Sequence, residues 1–180
     1  MGEISSLFTD IVGSTETAVA LGDEAWADLL ERHHAAVRAE IARFGGDEMD
    51  TSGDGFFVVF PEPAAAVEAG TAILDALELL ALSVRIGIHA GDCRVADGKC
   101  TGLAIHIGAR IAALASPGEV LVSDAVKTSV GAAYRFADRG THELRGIPGL
   151  WNLSALERQA RTELRPDSRA ASRSKGSQSW

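Results

Sequence analysis

Ser52-Gly53-Asp54-Gly55-Phe56-Phe57-Val58-Val59-Phe60 decides how this chain folds. Two glycines flank an aspartate, and an unbroken apolar run follows. Glycine takes the positive φ that a tight two-residue turn demands, so the stretch reads as a hairpin. Met49–Ser52 forms its first strand and Phe56–Phe60 its second. Upstream, residues 4–11 read as a buried strand. One helix is expected from Thr15 to Phe44, with Trp26, Leu29, Leu30, Val37, Ile41 and Phe44 near helical spacing. Gly45-Gly46 stops it. Downstream, Pro61 and Pro63 lead into a second helix over 64–80, and Val84–Ala90 forms another strand.

The order β-α-β-β-α-β is the ferredoxin-like pattern, an α+β fold. Leu103–Leu114 continues it as a helix. Glu119–Ser123 and Tyr134–Leu144 follow as strands with a short helix between them, and Leu150–Leu156 is the last strand. Residues 1–156 therefore form one domain with C-terminal strand additions. Residues 157–180 lack apolar periodicity and are rich in Arg, Ser and Ala, as expected of a disordered tail or linker.

The 180 residues are 46% hydrophobic, enough for one domain with a core. The net charge is -8. From Glu157 onward there are six Lys/Arg and three Asp/Glu, leaving 11 basic and 22 acidic residues before it. So acidic a body argues against nucleic acid as a partner. No apolar run reaches the roughly 18 residues that span a bilayer, and no secretory signal opens the chain. Cys93 and Cys100 form neither a metal-ligand spacing nor a disulfide framework, which suggests a reduced, cytoplasmic setting and incidental thiols. His33, His34, His89 and His142 have no metal-site spacing and read as structural or exposed.

The chemistry lies in two aspartates at strand ends. Phe8-Thr9-Asp10-Ile11-Val12-Gly13-Ser14-Thr15 and Ser52-Gly53-Asp54-Gly55 each set a carboxylate beside glycine and small hydroxyl residues. Carboxylates there can hold a hard cation while open backbone admits phosphate oxygens. Brought together, Asp10 and Asp54 would make a site for one or two Mg²⁺ or Mn²⁺ ions handling a nucleoside triphosphate. Taken alone, Asp10 also reads as a helix cap and Asp54 as a turn residue.

Those two segments are joined, in order, by Val84-Arg85-Ile86-Gly87-Ile88-His89-Ala90-Gly91, by Gly102-Leu103-Ala104-Ile105-His106-Ile107-Gly108-Ala109-Arg110 and by Gly140-Thr141-His142-Glu143-Leu144-Arg145-Gly146-Ile147-Pro148-Gly149. Together they resemble the catalytic domain of class III nucleotidyl cyclases of the bacterial type, from about residue 3 to 156. The resemblance implies a head-to-tail homodimer with active sites at the interface. The ribose 3′-hydroxyl of ATP, or of GTP, attacks the α-phosphorus and pyrophosphate leaves. It implies two divalent metal ions held by Asp10, Asp54 and the carbonyl of Ile11. Amides of Val12, Gly13, Ser14 and Thr15 would receive the triphosphate. Arg110 matches the arginine that stabilises the transition state, Arg85 one that reaches the β,γ-phosphates, and Arg145 stands where many relatives place a phosphate-binding lysine.

Three positions depart from the family pattern. His106 occupies the place of the asparagine that orients the ribose. Adenylate cyclases carry a lysine four residues before the second metal aspartate and an aspartate seven before that asparagine. Here those places hold Asp50 and Lys99, so the charges are exchanged. Adenine offers an acceptor at N1 and a donor at N6; guanine offers donors at N1 and N2 and an acceptor at O6. Asp50 with Lys99 complements guanine, although the family prior is adenylate cyclase and cAMP. Two other readings stay open: an Asp50–Lys99 salt bridge across the dimer that meets no base, and a shifted alignment that makes Asp97 or Asp92 the base-contacting acid.

Arg43-Phe44-Gly45-Gly46-Asp47-Glu48-Met49 nearly spells the GGDEF signature of diguanylate cyclases, but no apolar strand follows it directly, and the first motif lacks that family's Asp-Phe-Lys. A non-enzymatic reading, a cyclase-like dimerisation or regulatory module, is favoured by Asp50, Lys99 and His106 and opposed by Asp10, Asp54 and Arg110.

Overall fold

Alternation along the central strand sets the architecture. In β1 (Gly2–Ile11), Leu7 lies opposite Val58 and Ile88 on the neighbouring strands, whereas Phe8 lies opposite Phe57 and Gly87. Successive residues of a strand point to opposite faces, so the sheet has a Leu7 face and a Phe8 face. The structure is a computed structural model and describes residues 2–96 and 99–158.

After β1 come α1 (Ser14–Leu21), α2 (Asp23–Arg43), β2 (Asp47–Ser52), β3 (Gly55–Phe60) and α3 (Pro63–Glu78). They are followed by β4 (Val84–Ala96), β5 (Lys99–Thr101), α4 (Leu103–Leu114), β6 (Val120–Ser123), α5 (Asp124–Val130), one 3-10 turn, β7 (Phe136–Glu143) and β8 (Leu150–Leu156). The strands line up β2-β3-β1-β4-β6-β8-β7, with β5 paired to β4 off that path. The first four are mutually antiparallel, as a ferredoxin-like core requires, and β6 joins β4 in parallel.

The Leu7 face is covered by α2 and α3. Val37 and Ile41 of α2, Ile73 and Leu77 of α3, and Leu7, Val58, Ile86 and Ile88 of the sheet form the main core. Burying such side chains contributes roughly 1.5–3 kcal/mol each, so this face dominates stability. On the Phe8 face, α4 lies against β4, β1 and β6. Glycines permit that approach: a Cβ on Gly87 would fall 2.1 Å from the Ala112 amide nitrogen, and one on Gly108 would fall 2.5 Å from Ser6 Oγ. Ile107 and Ile111 of α4 anchor a second core with Leu121, Leu144 and Leu153.

The single helix expected over 15–44 is two. Gly22 breaks it at φ 80°, ψ 163°, a conformation that only glycine adopts readily. Its N–H closes α1 on the Ala18 carbonyl, and its carbonyl accepts the Trp26 N–H that opens α2. The strand expected to end at Ala90 continues to Ala96 and returns as β5, where register pairs join Arg94 to Thr101 and Ala96 to Lys99. Its tip, including Asp97, lies outside the described residues, as does the proposed tail from Gln159. Glu157 and Arg158 are tied to the body: the Glu157 N–H donates to the Arg135 carbonyl, and Arg158 pairs with Asp75 and Glu78. Among the described residues no helix is long and apolar enough to cross a membrane.

Candidate active site

Asp10 is the last polar residue of β1 before the chain turns into α1, and it shares the Phe8 face. Directly opposite on β4 stands Arg85, whose Nη2 and Nε donate to Asp10 Oδ2 at 2.7 and 3.1 Å. Asp54, in the β2–β3 turn, accepts the Ile11 N–H on Oδ2 at 3.2 Å. Two motifs forty-odd residues apart thus place their carboxylates around one strand end. Gly53 takes a positive φ of 63° to make the turn, and a Cβ on Gly55 would lie 3.2 Å from the Thr9 carbonyl. The turn can seat itself over β1 because glycine leaves that space open.

Side chains from α2 hold the hairpin from behind. His34 Nε2 meets the Gly53 carbonyl at 2.8 Å. Arg38 makes a two-pronged pair with Glu48, both contacts 2.8 Å, and its guanidinium also lies 5.4 Å from the centre of the Phe56 ring. The Arg38 hydrogen bond, chiefly, holds the Glu48 carboxyl down to about 2. His33 is fully buried against Phe56, its ring nitrogens without partners among the described residues. Burial, with a smaller contribution from His34, pulls its pKa down to about 4. Sequence reading takes His34 as structural or exposed, without this contact, and leaves Arg38 without a role. Their i,i+4 spacing on one helix face was the available signal.

Among the described residues no cluster of three His, Cys, Asp or Glu side chains could hold a metal. The donors to hand are two carboxylates with a backbone carbonyl beside them. Such an all-oxygen set suits Mg²⁺ or Mn²⁺, which keep several positions for water and substrate phosphates. The guanidinium of Arg85 beside Asp10 shows that the position accommodates positive charge. The residues present fit the implied ions.

The phosphate cradle is narrower than the sequence suggested. The Val12 N–H already donates to the Ser83 carbonyl at 2.8 Å, which leaves Gly13, Ser14 and Thr15. Gly13 caps α1 in the left-handed region at φ 67°, with a polar first turn behind it. Free amides at a helix start attract anions.

The remaining residues gather elsewhere. Arg110, exposed on α4, donates from Nε to the Arg145 carbonyl at 3.1 Å, so these two positions are neighbours. No hydrogen bond or ion pair among the described residues links them to Asp10 or Asp54. His106 is exposed one turn before Arg110 on α4. Asp50 and Lys99 are both exposed and make no side-chain hydrogen bond or ion pair, with each other or with any described residue.

A one-residue bulge aims Asp50. Glu48 pairs with Val58 but Asp50 pairs with Phe57, so Met49 is the extra residue. Without it Asp50 would share the helix-covered face with Glu48. With it, Asp50 turns to the opposite face, where Phe57 stacks on Phe8 with ring centres 4.6 Å apart. Asp50, Asp10 and α4 therefore belong to one face of the sheet.

Residues 1–157 match the family described as adenylate and guanylate cyclase catalytic domain. Putative adenylate cyclase 3 of Rhizobium meliloti is 33% identical over 143 residues, which cover 72% of this chain and 24% of that protein. The adenylyl cyclase CyaB from P. aeruginosa shares the fold with a TM-score of 0.80 at 22% identity, over 88% of this chain and 95% of that one. The guanylyl cyclase Cya2 shares it with a TM-score of 0.78 at 20% identity, over 91% and 98%. The chain spans only 16% to 41% of the length of the first four curated relatives it matches. With the motifs, the sheet order and the family match in agreement, this chain belongs to the adenylate and guanylate cyclase catalytic domain family.

Proposed function

We propose that this domain works as a homodimeric, metal-dependent adenylate cyclase, converting ATP to 3′,5′-cyclic AMP and pyrophosphate. The observation that carries the reading is the meeting of Asp10, Ile11 and Asp54 at one strand end, joined by the Ile11–Asp54 hydrogen bond. Asp10 and Asp54 would hold two divalent ions with the Ile11 carbonyl. What those ions supply is a lowered pKa at the ribose 3′-hydroxyl and neutralised charge on the β,γ-phosphates.

The protein's own groups do the rest. Amides of Gly13, Ser14 and Thr15 receive phosphate oxygens at the start of α1. With a divalent ion held by Asp10, the Arg85 guanidinium would be free to reach the β,γ-phosphates. Arg110 faces the α-phosphate and stabilises charge as it develops there, with Arg145 adding a second cation. His106 orients the ribose by donating a hydrogen bond. No hydrogen bond or ion pair among the described residues joins Arg110 or Arg145 to Asp10, which is compatible with a site completed by a second copy.

Base choice has two supported answers. The family assignment favours ATP. The Asp50–Lys99 exchange favours guanine, because the carboxylate accepts from N1 and N2 while the ammonium donates to O6. Cyclic product formed by the purified protein with Mn²⁺, from ATP and from GTP in parallel, separates them. cAMP in excess supports the assignment as stated; cGMP in excess moves it to guanylate cyclase. No product from a folded dimer would leave a regulatory module instead.

A further inference from the structure

Six residues lie between Cys93 and Cys100, and the β4–β5 hairpin closes that gap: the two Sγ atoms lie 2.7 Å apart. Both are thiols, Cys93 buried at 3% exposure and Cys100 half-buried. Their spacing offers no reason to join them, since strand pairing brings them together. Cys100 is opposite Val95 in the register, so the pair is a diagonal across the hairpin. Gly102 makes the approach possible. A Cβ there would lie 3.2 Å from the Asp92 carbonyl and 3.5 Å from Cys93 Cα.

We propose that Cys93 and Cys100 are a reversible dithiol–disulfide pair that fastens the β4–β5 hairpin, oxidised by exchange with a low-molecular-weight disulfide. The half-buried Cys100, as thiolate, attacks one sulfur of the small disulfide and expels one small thiolate. Cys93, as thiolate, then attacks Cys100 Sγ, forming the intramolecular S–S bond and expelling the second. Two protein thiols are oxidised, one small disulfide is reduced to two small thiols, and these take up the two protons. One reachable sulfur and one buried sulfur behind it suit those two roles.

The hairpin needs a fastener. β5 has three residues, pairs with β4 off the main sheet path, and apart from the two sulfurs adds, among the described residues, one side-chain hydrogen bond, from Thr101 Oγ1 to the Arg94 carbonyl. Burial first, and Cys93 second, push the Cys100 thiol up to about 12. Exchange is therefore slow at neutral pH and quickens about tenfold per pH unit. A destabilised thiolate also favours the closed disulfide once it has formed. Lys99 is the next residue, so oxidation would fix the strand that presents its ammonium. That consequence rests on the cyclase reading; the bond itself does not.

The full chain has only these two cysteines, which makes the test direct. Incubation with oxidised glutathione at alkaline pH should remove the mass of two hydrogens from the monomer and abolish both titratable thiols. A reductant should restore both. Cys93→Ser should instead hold a glutathione adduct on Cys100, and Cys100→Ser should stay unmodified; melting curves confirm that each variant is folded. Oxidation should slow amide exchange across residues 99–101 by about tenfold or more. A lasting glutathione adduct on the wild type, or disulfide-linked dimers in place of hydrogen loss, overturns the proposal. The ATP-to-GTP ratio of kcat/KM should shift at least about twofold on oxidation of the wild type and not of Cys93→Ser. An unchanged ratio with the bond formed overturns the link to Lys99 alone.

Discussion

Asp10 and Asp54 are held in place by their own chain, whereas Asp50, Lys99 and His106 reach solvent without a partner among the described residues. The first group has a strand on either side, an ion pair to Arg85, a hydrogen bond to Ile11 and a hairpin braced from α2. The second group stands on a bulged edge strand, a three-residue strand and an exposed helix face. Arg110 and Arg145 lie between these extremes, joined through one backbone carbonyl. The difference teaches that one chain pre-forms the cluster of Asp10, Ile11 and Asp54 and leaves Asp50, Lys99 and His106 to be ordered by whatever docks there. Preorganised charge is most effective where charge develops, so under the proposed function the rigid half would meet the phosphates.

Asp10→Ala and Asp54→Ala offer the harshest test of that division. Each should lower kcat by at least about 10³-fold while the protein stays folded, the lost Arg85 pair or Ile11 hydrogen bond costing no more than about 1–3 kcal/mol of stability. Arg110→Ala should cost about 10²–10³-fold in kcat with KM for the nucleotide little changed. Mixing the two inactive variants then asks where the halves come from. If sites form between copies, an equimolar mixture of Asp10→Ala and Arg110→Ala should regain roughly a quarter of wild-type activity, because half the dimers are mixed and each has one intact site. No recovery on mixing would place both halves in one chain.

The bracing behind the Asp54 hairpin predicts a pH dependence. Burial lowers the folded pKa of His33 to about 4, from the ordinary histidine value of about 6.5. A buried neutral imidazole stabilises the fold fully above the unfolded pKa, and that stability drains as pH falls from 6.5 to 4. At pH 5 the loss should be about 2 kcal/mol, read from denaturant titrations, and His33→Leu should flatten that part of the profile. His89, also buried and lowered to about 4 by burial, contributes a second decline in the same window and remains in the variant as an internal reference.

The smallest effect is expected at the solvent-facing end. Exchanging the charges, Asp50→Lys with Lys99→Asp, should move the ATP-to-GTP ratio of kcat/KM towards ATP by roughly tenfold. A ratio that does not move would remove both residues from base recognition.

Much of the fold was legible because its signals are local. Gly53-Asp54-Gly55 marks a turn wherever it is placed, and the apolar runs at 56–60 and 84–90 are strands by length and composition. The break at Gly22 was missed because helix-forming residues lie on both sides, and only the observed φ and ψ show that the two segments do not continue each other. Leu21-Gly22-Asp23-Glu24, a glycine followed by acidic residues, was the overlooked signal. The extension of β4 past Ala90 was missed for a different reason. Gly91 and Asp92 read as a strand end, yet they pair with Ile4 and Glu3 of β1. Pairing with a distant strand overrode local propensity.

By itself the sequence determined the order of elements, the two aspartate motifs and the family to which they belong, because each is written in contiguous residues and short spacings. Only the tertiary structure decided that Asp54 caps the amide of Ile11, that Arg85 neutralises Asp10, and that Val12 has no amide to offer a phosphate. It also decided which face Asp50 meets and that Cys93 touches Cys100. Those facts depend on strand register, and a single-residue bulge reverses a side chain's face without changing any local propensity.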